Sequence, residues 1–177
     1  MKRTQPDRPH RDRRPWLLLL AFAILIVAFN APSPVTAHGG GADHDIEKTR
    51  GNFVTLPGGE DLGFEIEGRA LMLRLPHHTL VHLRVRGLDA KTTYPAHVHN
   101  ARCSEDPAGG SHYQHQAGDG PRFVNAVNEM WPEVRTNGNG SAHSHAAHGH
   151  RARPDAMSVV IHYPADTSIR LACADLT

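Results

Sequence analysis

Between Leu80 and Leu88 the chain reads LVHLRVRGL, with apolar and polar residues in strict alternation. Neighbouring side chains in a strand face opposite ways, so this pattern gives one apolar and one polar face and no helical stripe. The same period returns in LGFEIEG (62–68), ALMLRLP (70–76) and YPAHVHN (94–100). Strand-like segments follow in VRTN (134–137), GSAHSHAAH (140–148), MSVVIHYP (157–164) and SIRLACADL (168–176). NGNG (137–140) reads as a tight hairpin connection. No long amphipathic helix is predicted. Many short strands between turn signals mean an all-β domain, a sandwich or a closed barrel. The irregular stretch from Asn100 to about Glu133 is too long for a mere connection and is a functional candidate.

The fold does not use the whole 177-residue chain. MKRTQPDRPHRDRRP is basic, an apolar run from Trp16 to Phe29 follows, and small residues lead to Ala37. This is the order of a secretory signal over 1–37; the run is short for a spanning helix, the alternative being an uncleaved anchor. Residues 38–60, rich in glycine and charge, read as a flexible lead-in with one edge strand at NFVTL. The only cysteines are Cys103 and Cys173, and in an exported protein an isolated pair reads as one disulfide. Net charge is +1, much of the positive charge lying in the signal. The remainder is mildly acidic, which argues against nucleic acid or an anionic membrane as partner after signal cleavage. Histidine is the excess: 15 residues, of which only His10 precedes residue 38. Metal is the ordinary explanation for such a bias. His97 and His99, two apart in a strand, share a face and can grip one ion.

Five pieces follow one another in a known order: RGL (86–88), HVH (97–99), GGSHY (109–113), SVVIH (158–162) and RLAC (170–173). Together they resemble the Cu/Zn superoxide dismutases over roughly residues 61–177. The resemblance implies a Greek-key β-barrel or sandwich of about eight antiparallel strands with long functional loops. It implies copper held by His97, His99, His112 and His162, a set of imidazoles suited to that metal. His112 would also relay a proton, and Arg170 would hold the superoxide anion by charge-assisted hydrogen bonds. Cys103 would join Cys173, pinning the long loop to the last strand and so fixing Arg170.

The chain departs from the family pattern twice. The family's zinc site needs further loop histidines, and after His112 the loop offers only His115 before His143. His115 reads either as a loop histidine or as a metal ligand, and zinc is in doubt. Glu129 stands near the place of the family's zinc aspartate; it could accept a hydrogen bond from His112 and orient that ring, or lie in solvent. Secondly, YPADTSIRLA leaves little beyond a turn between His162 and Cys173, where the family has a long loop. Both departures resemble the copper-only branch. His77, His78 and His82 match no motif and read as surface residues. HSHAAHGH (143–150) reads as a site of weak copper or zinc capture or a solvated edge strand, and His38 with His44 as another copper site. Two functions remain: a secreted or periplasmic copper superoxide dismutase acting on superoxide, or a non-catalytic copper-binding protein for storage or detoxification.

Overall fold

The structure is a computed structural model that describes residues 46–177. The expected signal over 1–37 and the histidines His38 and His44 lie outside the described residues. Ten strands run in chain order: β1 (Glu47–Asn52), β2 (Val54–Thr55), β3 (Glu67–Arg74), β4 (Thr79–Arg86), β5 (Thr93–Tyr94), β6 (Ala96–His99), β7 (Val134–Arg135), β8 (Ala142–His148), β9 (Ser158–Tyr163) and β10 (Asp166–Asp175). One helical turn, α1 (Pro57–Glu60), and a 3-10 turn, Pro121–Phe123, interrupt them. Two four-stranded sheets form, ordered β1-β3-β4-β8 and β2-β10-β9-β6, with β5 and β7 as a separate ribbon. Every pairing is antiparallel. The eight strands of the two sheets make the sandwich of the two expected forms; the sheets do not close into a barrel.

The alternation sets the core. In β4, Val81, Leu83 and Val85 are buried while His82, Arg84 and Arg86 are exposed. They join Met72, Val98, Val159, Ile161 and Leu171 in one apolar cluster drawn from both sheets. β9 is different: Ser158 to His162 are all buried, on both faces. Its outer face is roofed by the loop after β6. A Cβ on Gly109 would stand 2.7 Å from the Val160 side chain, and Ser158 Oγ donates to the Ala101 carbonyl at 2.7 Å. That roof accounts for the unbroken apolar run in SVVI.

Three local expectations are corrected. The flexible lead-in gives way, from Glu47 on, to β1, which pairs with β3 along its whole length. Its inward residues, Thr49 and Gly51, are too small to write an apolar pattern. LGFEIEG is a turn and an extended segment, and β3 begins only at Glu67. NGNG is a tight turn, with Asn137 Oδ1 accepting from the Asn139 and Ser141 amides at 2.9 and 3.2 Å. It joins β7 to β8, which belong to different sheets, so it closes no hairpin. A two-residue hairpin does occur at Pro164–Ala165, where Tyr163 pairs with Asp166.

β1 also reaches the other end of the chain. The Arg50 amide donates to the Thr177 carbonyl at 3.0 Å. Gly51 allows this approach, since a Cβ there would fall 1.7 Å from the Asp175 carbonyl oxygen. Gly51→Ala should therefore cost about 1–3 kcal/mol in urea denaturation, the usual range for overpacking. Gly138→Ala, with nothing within 4 Å, should cost much less. Equal midpoints for the two variants would contradict this packing.

Candidate metal centre

In β6, Val98 turns into the core, so His97 and His99 face the outer side of that sheet. β9 lies beside β6 with His97 opposite Val160. Val159 and Ile161 point into the core, which leaves His162 on the outer face. The loop then returns along β6: His99 and His112 form a bridge, and the Tyr113 amide donates to the Val98 carbonyl at 2.8 Å. Strand period and loop path together bring His97, His99, His112 and His162 to one place. Each offers a ligand atom, and these atoms all lie within 4.8 Å of one another. Among the described residues no other group of three or more metal-binding side chains converges so closely.

The hydrogen bonds orient the rings. Nδ1 of His162 lies 2.7 Å from the Thr167 carbonyl, Nδ1 of His99 3.2 Å from the Gly110 carbonyl, and Nδ1 of His112 2.8 Å from Glu129 Oε2. These partners can only accept, so each Nδ1 carries the proton and each Nε2 keeps its lone pair. The Nε2 atoms of His99 and His162 are 3.3 Å apart. Nδ1 of His97 is buried with no hydrogen-bond partner. A buried imidazole nitrogen left unpaired is costly, and a metal ion accepting its lone pair would remove that cost. All-imidazole donors without thiolate suit copper, zinc or nickel better than calcium or magnesium.

Burial keeps these rings neutral. It pulls His97 down to about 3, His99 to about 2 and His162 to about 4, with repulsion from neighbouring imidazoles adding to it. Arg170 adds to the effect at His99 and His162. It sits opposite His162 in the β9–β10 ladder, and its Nη1 donates to the Ala108 carbonyl. Ala108 belongs to the loop segment that Cys103 ties to Cys173 in β10, with Cα atoms 5.7 Å apart. The disulfide thus fastens the segment that supplies the Arg170 acceptor.

Glu129 is 1% exposed. It accepts from His112, from Trp131 Nε1 at 2.9 Å and from Gln114 Nε2 at 3.0 Å. The solvated alternative is excluded, and the carboxylate is placed to orient His112. Gln114 and Trp131 were missed in the sequence. Their signal was again period two: Gln114 follows His112 by two, and Trp131 follows Glu129 by two. The Trp131 ring also stands 6.0 Å from that of His97.

His115 does not join the four rings. It stacks on His150 at 3.8 Å and lies 5.9 Å from His148. HSHAAHGH is therefore divided: His143 and His145 are exposed on the outer face of β8, while His148 is buried at its end. His77, His78 and His82 are exposed.

No family model matches this chain, and no curated protein matches it. Among solved structures it is similar to Cu/Zn superoxide dismutase from Brucella abortus. The identity is 18% and the TM-score 0.50, over 74% of this chain and 100% of that one. A likeness at that identity establishes a shared fold.

Glu129→Gln should cost about 1–3 kcal/mol in denaturant, because an amide would set its own N–H groups against one of three donors. Unchanged stability would mean the three bonds do not form. A pH effect also follows. Below about pH 6.5 the unfolded chain protonates His97, His99 and His162 while the folded metal-free protein does not. Their contribution to stability is complete above pH 6.5 and falls steadily toward pH 4. The Tm of metal-free protein should drop across that window, and less so in His97→Ala; parallel curves would count against burial of the rings.

Proposed function

We propose that this protein is an exported, copper-dependent superoxide dismutase. The observation that supports it is a permanent cation, Arg170, beside a group of four converging imidazoles, three of which burial keeps neutral. Metal storage has no need of an anion-binding arginine there. His97, His99, His112 and His162 would hold copper, His97 through Nδ1 and the others through Nε2. Bound there, copper supplies the one-electron couple by which two superoxide anions and two protons become dioxygen and hydrogen peroxide. Arg170 receives the anion: its charge is permanent and its planar donors suit an oxyanion. The Ala108 carbonyl steadies the guanidinium. His112 would carry the proton on Nε2, at times when that nitrogen is not given to copper. Its ring is 31% exposed, so it can exchange protons with water, while Glu129 holds Nδ1 and fixes which nitrogen faces the anion.

In this reading the centre is copper-only, since His115 stacks with His150 and does not join the four rings. His97 and His112 are only half-buried, and with just a two-residue turn at Pro164–Ala165 superoxide would reach the centre without a long guiding loop. The Cys103–Cys173 bond suits an oxidising compartment, and the signal-like order of residues 1–37 supports export to the periplasm, cell envelope or medium.

The test is superoxide dismutation by the copper-loaded full chain. Arg170→Ala should retain copper but lose about 10- to 100-fold in rate, as expected for a hydrogen bond to a charged group worth ~1.5–3 kcal/mol. Raised salt should slow the wild type and leave the variant little changed, since exposed charges are screened beyond about 10 Å at 0.1 M. His162→Ala should lose copper itself. If the wild type is no faster than free copper and Arg170→Ala changes nothing, the protein stores copper instead.

A further inference from the structure

We propose that His115, His148 and His150 form a second metal site, separate from the four-histidine centre, which takes a divalent transition metal such as zinc. The inference starts from His148, the last residue of β8. It is 3% exposed, and both of its ring nitrogens are buried without a hydrogen-bond partner. A neutral imidazole has one N–H and one lone pair, so here both are unsatisfied. The backbone of Val127 and of His150 lies nearby, but neither makes a hydrogen bond of acceptable geometry with the ring. His115 adds a third unpartnered atom, its Nδ1. A buried imidazole beside a half-buried one, each with an unpartnered buried nitrogen, calls for a shared ligand.

His150 completes the set. Its ring centroid is 5.2 Å from that of His148 and 3.8 Å from that of His115. The backbones are fixed: the Thr79 hydroxyl donates to the His150 carbonyl at 2.9 Å, and the His115 amide to the Asn128 carbonyl at 2.8 Å. Only side-chain rotation remains. Zinc bonds imidazole nitrogen at about 2.0–2.1 Å, which brings tetrahedral ligand nitrogens to about 3.3 Å from one another. The parallel rings of His115 and His150 must therefore turn. His150 is exposed and follows Gly149, around which there is open space, so it is the one free to swing. Gln116, Asn125 and Asn128 line the cleft next to His115 and His150 and leave a fourth position to water. Of the cations near the cleft, Arg153 pairs with Asp155 at 2.8 Å, and Arg122, which lines it, stands over the Phe123 ring at 4.6 Å. Three imidazole donors and an open place suit zinc, and not calcium or magnesium.

The test is titration of metal-free full-chain protein with zinc chloride against a chromophoric chelator. His150→Ala and His148→Ala should each remove one zinc equivalent, or weaken it at least tenfold, while His162→Ala keeps that equivalent. His150 is exposed, so His150→Ala should retain the wild-type Tm without metal. It should also keep wild-type copper content, which separates this site from the four-histidine centre. If both variants bind zinc with the stoichiometry and affinity of the wild type, there is no such site, whatever His162→Ala does.

Discussion

The covering of one sheet face by a loop is the constraint on which the rest depends. An antiparallel sheet in a sandwich ordinarily turns one face to water. Here the segment between Ala101 and Gly110 lies over β9 and the end of β6, and the sheet of β2, β10, β9 and β6 has an interior on both sides. That second interior is where His99 and His162 lose their water. Without the cover these rings would take up protons more readily, and protons would compete with any metal for their lone pairs. The disulfide, the Ser158–Ala101 bond and the Arg170–Ala108 bond all secure the same segment. They come from β9 and β10, the two strands beneath it.

The electrostatics are built on the same arrangement. Buried rings stay neutral because charging them would cost solvation, and Arg170, half-buried, adds repulsion in the same direction. Among the described residues the one buried carboxylate, Glu129, sits outside the ring of imidazoles and faces three donors. Charge is thus kept at the rim and neutral donors at the middle, an order that favours a bound cation over bound protons.

What the sequence disclosed was whatever depended on period and spacing. HVH gave a shared face because a strand alternates. The inward residues of β4 were legible for the same reason. The cysteine pair was legible because two cysteines permit one intrachain bond. The failures have a common cause. β1 carries small inward residues and is held by backbone bonds, which no side-chain pattern records. The NGNG turn has the right local chemistry, but which sheet its flanking strands enter is a long-range choice. HSHAAHGH reads as one cluster along the chain, yet alternation sends His143 and His145 outward and the end of the strand buries His148. Gln114 and Trp131 became visible only where the loop crosses itself at the Gln114–Glu129 bridge, a pairing that no local pattern records.

The bond between Arg50 and Thr177 has a consequence for how the chain is made. The Arg50 amide finds its partner in Thr177, and Gly51 lies against the carbonyl of Asp175. A ribosome makes these partners far apart in time. β1 can pair with β3 early, but its contact with the segment Asp175–Thr177 waits until that segment has left the tunnel. The roofing loop is likewise unfastened until Cys173 emerges. Closure of this sandwich therefore comes only after all of its strands have been made.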